Sequence, residues 1–209
     1  MSSAQKYKEG AGPFLQWEGS NRDELLVFTD RQQCYKARLS DFDDSKASLL
    51  GDFLPTKLGM DPGEGFVWAC VTADYSGHLF FFFENGKAAR VDLTAYKTTS
   101  NRRKLTGAYS DKAPLACIRR LDADCELAVY STERRCLVFH TALLAPKTTR
   151  TTQGVAVMTL KPKYQLETVK ALEDTPITNQ SRYRVRSLPA AGALLREEDS
   201  EERQMDLLD

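Results

Sequence analysis

Short apolar runs alternate with polar connections along this chain, and three stretches repeat one arrangement of them. The stretches are Leu25 to Phe42 (LLVFTDRQQCYKARLSDF), Leu79 to Tyr96 (LFFFFENGKAARVDLTAY) and Leu127 to Leu144 (LAVYSTERRCLVFHTALL). Each opens with four or five apolar or aromatic residues, crosses a polar turn and resumes as a run in which apolar and polar residues alternate. The stretches are offset by 54 and 48 residues. A fixed spacing of this size is the signature of a repeat architecture.

Each stretch predicts a β-hairpin, because β-branched and aromatic residues flank a short polar connection. In the second the connection holds Asn85-Gly86, whose residues accept the positive φ that a tight hairpin turn needs. Asp30-Arg31-Gln32 and Glu133-Arg134 stand at the matching places without glycine. After each hairpin a polar loop leads to a further strand-like run: Phe66 to Val71, Leu115 to Ile118, and Val155 to Met158 with Leu166 to Val169 beyond. The unit is roughly fifty residues with about four short strands, the size of a propeller-type blade. One blade cannot bury its apolar face alone, so the stacked array is the folding entity. The five large apolar residues of Leu79 to Phe83 predict a strand covered on both faces. The expected fold is therefore all-β, with propeller-like blades of about four strands in about three repeats and a polar C-terminal tail. Residues 1–13 read as a lead-in, 14–172 as the three-repeat region and 173–209 as a C-terminal segment.

A composition of 42% hydrophobic and 28% charged residues is an ordinary globular balance and excludes a mostly disordered chain. No stretch approaches the roughly 20 apolar residues of a membrane span, and the first residues lack the apolar core of a signal peptide. The expectation is a soluble, cytoplasmic protein without a membrane partner. Five cysteines form no CxxC pair and read as reduced. Cys136 and His140 share a segment in which strand geometry would put them on one face, so a reactive or metal pair is a third and weakest reading of function.

Charge changes the picture more. The formal net charge is zero, with 29 basic and 29 acidic residues, yet residues 86–163 carry 15 basic against 6 acidic side chains. Residues 1–85 are net −5 and residues 164–209 net −4. A cationic block between two acidic ones is what a polyanion would feel, since each phosphate contact by Lys or Arg releases counterions and adds sequence-independent affinity.

The repeats resemble a known family, the C-terminal DNA-wrapping domain found in the A-type subunits of the bacterial type II topoisomerases, DNA gyrase and topoisomerase IV. The likeness is carried by Leu25 to Asp30 followed by Cys34-Tyr35-Lys36, by Phe81 to Val91 (FFFENGKAARV), and by the loop ends Leu54-Pro55 and Gly154 to Val157. It spans about residues 14–172. It implies a β-pinwheel, a propeller-like disc whose blades exchange a strand with their neighbours. It also implies binding and bending of double-stranded DNA through backbone contacts, with little base readout. Arg102, Arg103 and Lys104 in the second loop and Lys147 and Arg150 in the third are the residues it points to. Arg119-Arg120 and Arg134-Arg135 add two basic pairs, of which one member each would face a given side of a strand.

The sequence also departs from that family. The box Q-R-R-G-G-K-G of supercoiling gyrases is missing, and the nearest string is Ser100 to Gly107 (SNRRKLTG), which favours a topoisomerase IV-like role. The cleavage tyrosine of the family lies in another domain, so this chain alone is expected to cleave nothing and to hold no cofactor. Its expected partners are DNA, the catalytic core of the A-type subunit, and the ATPase (B-type) subunit, in the nucleoid. Ser181 to Arg186 (SRYRVR) reads as a strand presenting Arg182, Arg184 and Arg186 on one face. Residues 197–209 hold seven acidic side chains and read as a tail that competes with DNA. The alternative from another class is a propeller-like protein-interaction module that engages an acidic partner.

Overall fold

A computed structural model describes residues 16–46, 49–99 and 102–200. All three repeats form the expected hairpins: β1 (Glu24–Thr29) with β2 (Gln33–Arg38), β4 (His78–Phe83) with β5 (Lys87–Asp92), and β8 (Glu126–Ser131) with β9 (Arg135–His140). Each second strand runs into a single 3-10 turn, at Leu39–Asp41, Leu93–Tyr96 and Thr141–Leu143. The hairpin turns are alike even where glycine is absent. Gln32, Gly86 and Arg134 occupy the same place and all have positive φ, at 53°, 81° and 58°. Glycine is required only at Gly86, where a Cβ would meet the backbone carbonyl of Met158.

The following strands β3 (Phe66–Thr72), β7 (Leu115–Leu121) and β11 (Leu166–Ala171) each return beside the first strand of their own hairpin. The fourth strand of each sheet comes from further along the chain. β6 (Lys104–Thr106) joins β2, β10 (Val155–Ala156) joins β5 and β12 (Ala193–Leu194) joins β9, all antiparallel. Three four-stranded antiparallel sheets result, in the orders β3-β1-β2-β6, β10-β5-β4-β7 and β11-β8-β9-β12. Within Val155 to Met158 only the first two residues pair in a sheet. Val157 and Met158 are buried, and both donate backbone N–H groups to the Gly86 carbonyl.

Two compact units interleave along the sequence, Met1–Tyr75 with Thr98–Thr106, and Ser76–Lys97 with Gly107–Asp209. The first unit holds one sheet. One face of that sheet buries Leu25, Val27, Tyr35, Ala37 and Ala69 beneath α1 (Leu54–Leu58), which ends at the left-handed Gly59. An apolar groove lined by Trp17, Leu39, Phe42, Leu54 and Phe66 stays open on this face.

The second unit holds two sheets packed face to face. Phe80, Phe82 and Ala88 of one meet Leu127, Val129, Leu137 and Phe139 of the other, and Val157 and Leu166 complete this core. The far face of the β8–β9 sheet, with Ala128, Cys136 and Val138, is covered by the chain's own C-terminal segment through Leu172, Ile177 and Tyr183. In a stacked array a terminal unit needs such a cap, because its outer apolar face has no neighbour.

That cap corrects two expectations. Ser181 to Arg186 is not a strand: Gln180–Tyr183 is a helical turn, α2, and burial of Tyr183 sets its orientation. Arg184 does not share an exposed basic face but forms a two-pronged ion pair with Glu126, at 2.6 and 2.7 Å. The first residues of the acidic segment, Glu197–Asp199, form a 3-10 turn with Asp199 buried, while residues 201–209 lie outside the described residues. No helix among the described residues is long and apolar enough to cross a membrane.

Candidate nucleic-acid interface

The exchanged strands organise the cations. Each is only two or three residues long and pairs with the second strand of a hairpin, and the segment leading to it carries exposed cations. In the first unit Arg102 and Arg103 lead into β6. Both are exposed, and the Arg103 carbonyl accepts from Lys36 N–H at 2.7 Å. Arg103 approaches Asp41 at 3.7 Å while keeping two thirds of its side chain in solvent, an exposed pair worth little.

Lys104, the third member of the basic triplet, is used differently. Its ammonium meets Asp61 Oδ2 at 2.6 Å and lies 5.7 Å from the centre of the Tyr35 ring. The hydrogen bond holds Lys104 above and Asp61 below their ordinary ranges. Tyr35 donates to Glu64 at 2.6 Å, and Glu64 also accepts from Thr29. Burial pushes the Tyr35 phenol up, with the Glu64 hydrogen bond adding to it.

In the second unit Lys147 and Arg150 precede β10. The Lys147 backbone is pinned on both sides, donating to Arg90 O at 2.8 Å and accepting from Asp92 N at 2.9 Å, and its side chain is exposed. Arg150 donates to Ala95 O at 2.9 Å and Gly107 O at 3.3 Å and lies over Tyr96, so its guanidinium is a tie within the fold. Gly154 follows, with φ 73°, where a Cβ would run into the Ala88 carbonyl. Gly192 repeats this before β12, with φ 70° and a Cβ position 2.6 Å from Cys136 O. The lead-in to β12 carries Arg182 and Arg186, both exposed.

The remaining candidate residues divide in the same way. Arg119 donates twice to Val169 O, joining β7 to β11. Arg120 reaches Asp122 at 3.3 Å and Ser76 O at 3.5 Å. Arg135 donates to Gly192 O at 2.9 Å and meets Glu133 at 3.3 Å. Arg134 is exposed on the left-handed turn position. Of the nine residues read from the sequence, Arg102, Arg103, Arg134 and Lys147 therefore present exposed side chains, and the other five tie together parts of the fold.

Two exposed cations, Lys161 and Lys163, carry no mark in the sequence pattern. Lys161 forms an ion pair with Glu133, beside Arg134 in the turn, and pulls the Glu133 carboxyl below its ordinary range. Arg182 and Arg186 do stand out in the sequence, but as residues of a strand that the fold does not form. Arg182 and Arg186 are located instead by the segment that leads to the exchanged strand β12, and Lys161 and Lys163 by the segment before β11.

The Cys136–His140 reading fails on geometry. Cys136 is fully buried, its thiol pushed up to about 12 by burial, and His140 is exposed and accepts from Ala142 N–H at the start of the 3-10 turn. A thiolate is strongly disfavoured there. Among the described residues no group of three His, Cys, Asp or Glu side chains could hold a metal ion.

An all-β chain of four-stranded blades, each completed by a strand from further along and edged with cations, belongs to the strand-exchanging pinwheel class of folds. Solved structures similar to it include C-terminal domains of DNA topoisomerase IV and DNA gyrase A. The chain is similar to the C-terminal domain of DNA topoisomerase IV (TM-score 0.64, 22% identity, 74% of this chain and 49% of that one). It is similar to the E. coli ParC C-terminal domain (TM-score 0.68, 14% identity, 93% and 85%) and the DNA gyrase A C-terminal domain (0.57, 16%, 87% and 64%). The chain thus spans about half the length of the first of these domains. No family model matches it, and no curated protein matches by sequence. The structural likeness establishes the β-pinwheel fold that the resemblance of the repeats implies.

Proposed function

We propose that the chain is a DNA-binding and DNA-bending accessory domain of the A-type subunit of a bacterial type II topoisomerase, contacting the duplex backbone through exposed cations at the edges of its sheets. The observation that carries this reading is the recurrence of exposed cations in the segment leading to the exchanged strand in all three sheets: Arg102 and Arg103 directly before β6, Lys147 eight residues before β10, and Arg182 with Arg186 eleven and seven residues before β12. Loop-borne Lys and Arg without an accompanying base-reading helix or ribbon suit phosphate contacts and sequence-independent affinity. The sheets supply rigid edges against which a duplex could be curved.

The absence of Q-R-R-G-G-K-G supports a topoisomerase IV-like role over gyrase-like supercoiling. The partners in this reading are double-stranded DNA, the catalytic core of the A-type subunit, and the ATPase (B-type) subunit, in the bacterial nucleoid. The chain contributes binding and geometry, and cleavage belongs to the catalytic core.

A gel-shift titration against a duplex of about 150 base pairs, at low and physiological salt, tests the reading. Joint replacement of Arg102, Arg103 and Lys147 by alanine removes three exposed cations whose side chains, among the described residues, make no ion pair beyond the weak one of Arg103 with Asp41. It is expected to lower the salt slope by about 3 × 0.9. A wild-type chain that leaves the duplex unshifted at low salt would overturn the proposal. The open apolar groove of the first unit, with Trp17 and Phe66 at its rim, favours the protein-interaction alternative, which that outcome would promote.

A further inference from the structure

Lys36 on β2 is the most deeply buried cation among the described residues, with 6% of its side chain exposed. A buried ammonium is tolerated when anions and hydrogen-bond acceptors surround it. Among the described residues Lys36 has one acceptor at hydrogen-bond length, Thr98 Oγ1 at 3.1 Å. The nearest carboxylate oxygen, Glu24 Oε2, stands off at 3.7 Å and already accepts from the Tyr75 hydroxyl. The Tyr75 ring centre lies 5.1 Å from the ammonium and offers its face as a weak partner.

The same register position in the second repeat is filled by Arg90, opposite Phe80 as Lys36 is opposite Leu26. There the protein's own acceptors hold both terminal nitrogens of the cation, and only Nε is buried without a partner. Arg90 donates to Asp124 Oδ1 at 2.9 Å and to the Thr141 and Leu144 carbonyls at 3.3 Å, and meets His78 Nδ1 at 3.2 Å. Lys36 instead borders a polar cleft of about 440 Å³ lined by Arg38, Thr98, Thr99, Arg102 and Arg103, with Glu24 and Asp41 as its acids. Four cations face two carboxylates, which leaves two positive charges in excess. Arg and Lys together with hydroxyl donors are the chemistry that holds a phosphate oxyanion.

We propose that this cleft binds a single phosphate group, with the Lys36 ammonium at its base and Arg38, Arg102 and Arg103 around it. As a site for a backbone phosphate it rests on the DNA-binding reading. As a site for free phosphate it stands without it.

The test titrates inorganic phosphate, against chloride at matched ionic strength, into the whole chain and follows the backbone amide resonances of Lys36, Thr98 and Thr99. Wild type and the exposed control Lys112→Ala are expected to show a saturable phosphate-specific shift, and Lys36→Gln to lose it. Should Lys36→Gln not fold, the double variant Arg38→Ala/Arg102→Ala, in which both replaced side chains are exposed, decides by the same loss. A wild-type chain with no saturable shift overturns the proposal, as does a shift retained in Lys36→Gln or, where that variant does not fold, in the double variant.

A second arm measures binding of a fluorescent 30-base-pair duplex between 50 and 200 mM salt, with whichever variant folds. If a backbone phosphate occupies the cleft, Lys36→Gln loses about 3.5-fold less affinity across that range than wild type, the equivalent of one contact. An unchanged slope with the phosphate response abolished supports the cleft and identifies free phosphate as its ligand. A wild type that responds to phosphate but ignores the duplex supports the cleft and removes the DNA reading.

Discussion

Replacing Asp199 with alanine should loosen the C-terminal cap. Asp199 is 1% exposed. Its Oδ2 accepts from the buried Tyr183 hydroxyl at 2.7 Å, and its Oδ1 from Thr178 N and Oγ1 at 2.8 and 3.0 Å. The Tyr183 oxygen in turn accepts from Arg196 N–H at 3.1 Å, so one carboxylate ties 178, 183 and 196 into a clasp over Ala128, Cys136 and Val138. Hydrogen bonds to a charged group contribute about 1.5–3 kcal/mol each, and desolvation of the carboxylate offsets part of that. Removing it strands the buried Tyr183 hydroxyl and two part-buried donors of Thr178, for a net loss of about 3 kcal/mol, or about 6–12 °C in melting midpoint for a chain of this length.

The same clasp predicts a pH dependence. Burial pushes the Asp199 carboxyl up, but the Thr178 and Tyr183 donors outweigh it and hold the group below the ordinary value of 3.8. A depressed folded pKa contributes stability that is fully present above the unfolded value and is lost as pH falls through the lower folded one. Thermal melts followed by circular dichroism, with amide exchange at Val185 and Leu195, check both points. The gap between wild type and Asp199→Asn should narrow below about pH 3.8. An Asp199→Ala midpoint within 2 °C of wild type at pH 7, with exchange at those amides unchanged, would refute the clasp.

Other perturbations separate structure from binding. Arg119→Ala should cost about 2 kcal/mol through loss of its charged donors to Val169 O and leave the salt slope for DNA unchanged, whereas Lys147→Ala should lower the slope by about 0.9 and leave the melting midpoint within about 2 °C of wild type. Gly154→Ala forces a Cβ against the Ala88 carbonyl and should free β10, seen as faster amide exchange at Val155, with weaker DNA binding because the Lys147 loop loses its anchor. Deleting residues 201–209, which removes Glu201, Glu202, Asp206 and Asp209 but spares Asp199, should raise affinity for DNA at low salt if the acidic tail competes with it. Equal affinities in a fluorescence titration would dismiss that competition.

The long strands are legible in the sequence because each must bury side chains. Leu25 to Phe28, Leu79 to Phe83 and Leu127 to Val129 carry the apolar runs of strands covered on both faces, and all are buried. The exchanged strands β6, β10 and β12 leave no such trace, since two or three residues hold an edge through backbone bonds and need no apolar period. The positions of β10 and β12 are marked instead by Gly154 and Gly192, at close approaches of backbone to backbone, and that of β6 by no such glycine. The arginines of Ser181 to Arg186 mimic a strand's alternation, but the deciding interaction, Tyr183 with Asp199, lies sixteen residues away. Charge counting meets the same limit: Arg102 and Arg119 are identical in composition, and only the carbonyl of Val169 distinguishes them.

Strand exchange also bears on how a modest set of cations could suffice. A flexible basic loop that docks on phosphate loses backbone as well as side-chain freedom, about 1–2 kcal/mol per residue for the backbone alone. At Lys147 that backbone cost is already met in the fold, because its N–H and carbonyl are both bonded to β5. Arg103 is held through its carbonyl by Lys36, and Arg182 lies in α2 beside the buried Tyr183. Such residues have only side-chain rotamers left to order, so each phosphate contact keeps more of its counterion-release energy. The engaged cations, among them Arg119, Arg150 and Arg135, hold the sheets and loops that fix these positions. A chain with no net charge can then carry exposed cations at fixed places, because arginines such as Arg119 and Arg150 face backbone carbonyls while Arg102 and Lys147 are exposed.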